Sequence, residues 1–163
     1  MVQRGALVLR VDIQTALSNI QNKLFEKKEL LKKFLTIETK ISEILKHDRE
    51  DDILDLISDE TDLLEIINII QFDISSEKDY IHKKTGKRFD EITGKGFSQF
   101  AEFEGKIKKI SSESTEIMKK LEQLKMKNME LMGAKAKDLK KQTRELELMN
   151  NLSIITPRDL QEP

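Results

Sequence analysis

The chain has 163 residues, 36% of them charged, 37% hydrophobic and 5% aromatic, with no Cys, no Trp, two Pro, six Gly and a formal net charge of −1. The length fits one domain, and the charged fraction exceeds the roughly 25% of an average globular protein. Without cysteine there are no disulfides, zinc fingers, iron-sulfur clusters or thiol nucleophiles, and two His with one Tyr leave a thin pool of general acids and bases. Rich in Leu, Ile, Lys and Glu and poor in breakers, the sequence predicts long amphipathic helices rather than a sheet. It argues against an enzyme, and no catalytic, metal or cofactor-binding residue is expected.

Residues 1–11 (MVQRGALVLRV) mix apolar residues with Arg4 and Arg10 and lack the uninterrupted apolar region and cleavage site of a signal peptide. They are expected to form a frayed leader. No run approaches the roughly 18 apolar residues of a membrane span, so a cytoplasmic protein without membrane insertion is expected.

Over residues 12–47, Ile13, Leu17, Ile20, Leu24, Leu31, Phe34, Ile41 and Leu45 recur at steps of three, four or seven, the period of one long amphipathic helix. Lys27 and Glu38 occupy two positions where an apolar residue is due. The cluster from His47 to Asp52 interrupts the pattern and offers Asp side chains as caps for a second helix.

That second helix is predicted over residues 50–84, with Ile53, Leu56, Ile57, Leu63, Leu64, Ile67, Ile70 and Ile74 as its inner stripe. Ile66, Ile69 and Phe72 fall outside the stripe. A helix apolar on more than one face is either buried between neighbours or binds a partner. Residues 85–96 (TGKRFDEITGKG) hold three Gly and read as a loop.

The third helix is predicted over residues 97–155, where positions from Ile107 and Ile110 through Leu121, Leu131, Leu139, Leu146, Met149 and Leu152 keep a 3-4 alternation. Ser114, Asn128, Lys135 and Gln142 intrude on that seam, and polar seam residues fix register at a cost in stability. The seam weakens after Met126, and Gly133 marks a candidate bend or the root of a mobile arm. Pro157 ends any helix by about Ile155, leaving residues 156–163 as a tail.

Charge separates into blocks. Residues 1–47 carry nine Lys or Arg against five Asp or Glu, residues 48–79 two against twelve, and residues 80–163 a net of +5. An acidic helix between two basic ones suits antiparallel pairing, because opposite blocks attract and suppress wrong pairings.

Other motifs have ordinary explanations. The acidic run Asp48 to Glu60 has Ile53 where an EF-hand needs its turn glycine, so it reads as helix capping plus a solvated acidic face. The triplets Thr85-Gly86-Lys87 and Thr93-Gly94-Lys95 lack the spacing of a phosphate-binding loop. His47 and His82 have no nucleophile to serve. Basic pairs such as Lys27-Lys28 and Lys140-Lys141 are interspersed with acids and lack stacking aromatics, so no nucleic-acid partner is expected. Met118, Met126, Met129, Met132 and Met149 read as seam filling or as a protein-binding surface.

The stretch ISEILKHDREDDILDLISDETDLLEIINIIQFDI (residues 41–74), with its Leu-rich helix end, acidic break and Asp59-Glu60-Thr61-Asp62-Leu63-Leu64, together with Leu124-x-x-x-Asn128-x-x-Leu131, resembles the FlgN-type flagellar export chaperones. The family's basic residue is replaced by Asp62, and the C-terminal region has no tyrosine. The resemblance implies a cytoplasmic chaperone that binds an amphipathic helical segment of an exported hook-filament junction protein. It also implies a partner-binding surface on Leu131, Met132, Leu139, Leu146, Met149 and Leu152. The half-apolar seam of the third helix points to the same segment, because such a helix suits helix-in-groove recognition. The expected architecture is therefore all-α, an elongated antiparallel three-helix bundle or coiled coil with a C-terminal helical arm. The rival to the chaperone is a structural self-associating coiled coil, a homodimer or a higher assembly.

Overall fold

The computed structural model describes the backbone of residues 2–47, 53–93 and 100–153, and the side chains of 9–47, 53–93 and 100–149. It is all-helical: α1 is Val2–Lys46, α2 Ile53–Thr85, α3 Phe89–Ile92 and α4 Ala101–Ser153. No described residue lies in a strand. Helix α1 packs against both α2 and α4. Three polar bridges give the direction of the first pair, because Asn19, Lys23 and Lys27 meet Glu77, Asp73 and Gln71 in descending order, so α1 and α2 are antiparallel. Lys28 meets Glu113 and Glu38 meets Asn128, so α4 runs parallel to α1.

Three apolar clusters follow one another along this rod. Leu17, Ile20, Ile74, Ile81 and Ile92, with Phe100, form the largest, at the end closed by α3. Leu31, Phe34, Ile67 and Leu121 form the second, with members from α1, α2 and α4. Ile41, Leu45 and Ile53, flanked by Leu131 and Met132, form the third at the opposite end. Each of these buried Ile or Leu side chains is worth about 1.5–3 kcal/mol in apolar transfer, so the α3 end is the most strongly held.

The eight seam residues expected of α1 all face inward. Two boundaries differ from expectation. Residues 2–11 are helical rather than frayed: with no proline and one glycine, the segment continues the turn of α1 toward its N-terminus. The Gly-rich connection contains the one-turn α3, whose start is capped by Glu91 Oε2 accepting the Arg88 N–H at 2.6 Å. Helix α4 continues through Gly133 to Ser153, within the range expected of the third helix. Gly86 ends α2 with φ of 68°, its N–H bonded to the His82 carbonyl at 2.8 Å, a left-handed closure that favours glycine. The acidic cap candidates Asp48, Asp51 and Asp52 lie outside the described residues, as do Gly94, Gly96 and the tail.

Candidate protein-binding surface

Helix α4 outruns the rod. Leu131 and Met132 pack at the level of Leu45 and Ile53, where α1 ends and α2 begins. From Ala136 to Met149 every residue is exposed, including Leu139, Leu146, Leu148 and Met149, each above 60%. Residues 134–153 thus form an arm about 30 Å long at 1.5 Å per residue. A groove of about 610 Å³ lies at its root, between Leu45, Ile53 and Leu54 on the rod and Met132, Ala136 and Leu139 on α4.

A second exposed apolar face runs along α2. Its inner face holds a seven-residue series, Ile53, Glu60, Ile67, Ile74 and Ile81, together with Ile70, all buried. On the outer side Leu54, Ile57, Leu64, Ile69 and Phe72 are exposed, Leu54 at 77% and Phe72 at 72%. Steps of three and four place Leu54, Ile57, Thr61, Leu64, Asn68 and Phe72 along one line, and Thr61, Leu64, Asn68, Ile69 and Phe72 edge a shallow groove. Ile57 and Leu64, expected in the inner stripe, belong instead to this outer one. Glu60 holds the inner position that a 3-4 count of apolar residues gives away. Exposed contiguous apolar faces of this kind mark interaction surfaces.

Between the second and third clusters lies a polar layer fed by three helices. Asn128 Nδ2 donates to the Glu38 carbonyl at 2.9 Å and to Glu38 Oε2 at 2.7 Å. Lys125 Nζ sits 3.3 Å from Glu38 Oε1, 3.6 Å from Glu60 Oε2 and 5.0 Å from the centre of the Phe34 ring. Glu38, Glu60 and Asn128 are buried. Burial, then the hydrogen bond and the charge of Glu38, push the Glu60 carboxyl up from 4.5 to about 7, against the opposing pull of Lys125. Glu60 Oε1 and Asn128 Oδ1 have no hydrogen-bond partner among the described residues. A proton on Glu60 turns one of its oxygens into a donor, which relieves both the repulsion and the unmet acceptor. Glu60 is therefore no part of a solvated acidic face, whereas Asp55 and Asp59 are exposed.

Of the six expected partner-binding residues, Leu139, Leu146 and Met149 stand exposed on the arm, while Leu131 and Met132 are half-buried against the third cluster and anchor it. Leu152 is within α4, but its side chain lies outside the described residues. Met118, Met126 and Met129 point to solvent rather than filling the seam. His47 is exposed, and His82 Nδ1 lies 3.2 Å from the Lys87 carbonyl at the α2 turn. No cluster of three or more His, Asp or Glu with metal-binding geometry occurs among the described residues, and no helix among them is long and apolar enough to cross a membrane. Comparison with protein-family models, with curated proteins and with solved structures gives no match.

Proposed function

We propose that the protein is a non-enzymatic helical chaperone or adaptor that captures an amphipathic helix of another protein, the role the FlgN-type resemblance implies for exported hook-filament junction proteins in the cytoplasm. The observation that carries this reading is the α4 arm, a helix whose Leu139, Leu146 and Met149 are exposed beyond the end of the rod. An isolated helix of this length holds little stability in water, and a partner helix laid on the apolar side supplies what the rod does not. Groove and arm are continuous through Leu54 and Leu139, so a captured helix gains a seat on the rod as well.

The test is binding of a labelled amphipathic terminal helix from a hook-filament junction protein to the full chain and to a chain ending at Met132. The shortened chain keeps the three clusters and the helices of the rod, and loses binding. Equal binding by the two chains assigns the surface elsewhere and refutes the reading.

A further inference from the structure

We propose that two copies of this chain pair end to end in solution, each laying its α4 arm along the outer face of the other's α2. Another protein's helix and the second copy compete for the same apolar side of the arm, so this pairing belongs to the chain without a captured helix. Geometry makes the occupant a second copy. The arm begins at the rod end where α2 begins, and the outer stripe of α2 runs back from Leu54 along the rod. Because α4 is one unbroken helix, the arm projects away from the stripe of its own chain. A twofold axis across that end brings each arm onto the other chain's stripe, with arm and stripe parallel.

Length and charge agree with this. The 20 residues from Ala134 to Ser153 span about 30 Å, and the 19 from Leu54 to Phe72 about 28 Å. Between Ile53 and Glu77 there are seven Asp or Glu and no Lys or Arg, whereas residues 134–153 carry five Lys or Arg against three Asp or Glu. An acidic apolar stripe facing a basic apolar arm is complementary in both respects, while stripe against stripe brings like charges together. The exchange is reciprocal, so both contacts form twice and the assembly closes as a dimer.

Light scattering on the purified chain should give twice the monomer mass, and the chain ending at Met132 should be monomeric. Reversing the basic band with Lys140→Glu, Lys141→Glu and Arg144→Glu should weaken the dimer at least tenfold. Mixing that variant with a chain carrying Asp62→Lys and Glu65→Lys should restore a mixed dimer. The natural absence of cysteine allows a positional check: Leu64→Cys and Leu146→Cys chains treated with a short bismaleimide should cross-link when mixed. Leu146→Cys alone should not, since the two arms cross only at their bases. A monomer at every concentration overturns the proposal, and so does a dimer that survives loss of the arm. Cross-linking within single chains that carry both cysteines also overturns it, because the arm then reaches its own stripe.

Discussion

Replacing Glu60 by Gln should leave the protein close to its normal stability at pH 5 and make it more stable than the parent at pH 8. Glu60 is 7% exposed, and its carboxyl is raised from 4.5 to about 7, first by burial and then by Glu38. The folded state therefore keeps a proton that the unfolded chain releases above about pH 4.5. Stability from this group is complete below that pH, declines as pH rises through about 7, and is lost above it. At 1.36 kcal/mol per pH unit the ceiling is about 3 kcal/mol, and relaxation of the half-exposed Lys125 toward the pair brings the expected loss to about 1–3 kcal/mol. Gln cannot ionise, and its amide can donate where the protonated acid did, so the variant should show no such decline. The other acids with shifted values, Glu29, Glu102 and Glu113, are lowered and act below about pH 4.5, outside this window. Urea unfolding at pH 5, 6, 7 and 8 reads the difference. Parallel pH slopes for the two proteins, or a variant less stable than the parent at pH 8, would refute the reasoning.

Two further substitutions probe the polar positions. Asn128→Ala removes the donor to the Glu38 carbonyl and carboxylate in a fully buried place, and should cost about 1–3 kcal/mol in chemical unfolding at neutral pH. The buried Lys28 is paired with Glu113 at 2.8 Å, so Glu113→Gln, which leaves that cation only Glu29 at 3.9 Å and the face of Phe25, should destabilise more than Lys28→Met, which removes it. The Glu113 carboxyl is held below its usual range chiefly by the Lys28 hydrogen bond, so it contributes stability above about pH 4.5 that is lost as pH falls through its folded value. Glu113→Gln should flatten that part of the acid unfolding curve.

Periodicity made the rod legible because its apolar residues do nothing except pack. The seam of α1 from Ile13 to Leu45 reads directly, and polar members such as Asn128 could be located as seam positions without any knowledge of their partners. It misassigned α2, where apolar residues serve two faces: Ile57 and Leu64 satisfy an inner 3-4 count, yet the inner line runs through Glu60. A strict seven-residue step from Ile53 would have found it, at the cost of accepting a buried acid. The polar layer was visible only in halves, as Glu38 in one helix and Asn128 in another, and Glu60 was hidden inside an acidic run. Long-range pairing decides such a cluster, and no local pattern encodes it. The arm was legible as a weakening seam in a helix that continues through Gly133, since one glycine costs a helix only about 1 kcal/mol and the flanking Ala and Lys residues are good helix formers.

Position along the rod gives the polar layer a mechanical consequence. It separates the cluster of Ile41, Leu45 and Ile53, which anchors the arm through Leu131 and Met132, from the rest of the core. At the opposite end Leu17, Ile20, Ile74, Ile81 and Ile92 are fully buried and carry no ionisable member. Local opening follows apolar burial, so the arm end should open before the α3 end. Above pH 7 the layer holds two carboxylates against one half-exposed lysine, which should lower the opening cost further. Hydrogen exchange, corrected for the intrinsic pH dependence of amide exchange, should show weaker protection in residues 38–46, 56–60 and 125–132 than in 17–24 and 70–81. The gap should widen between pH 6 and pH 8. In Glu60→Gln the gap should remain but stop widening, because the packing difference persists when the titration is gone. Uniform protection along the rod would show that the layer couples the two ends rather than separating them.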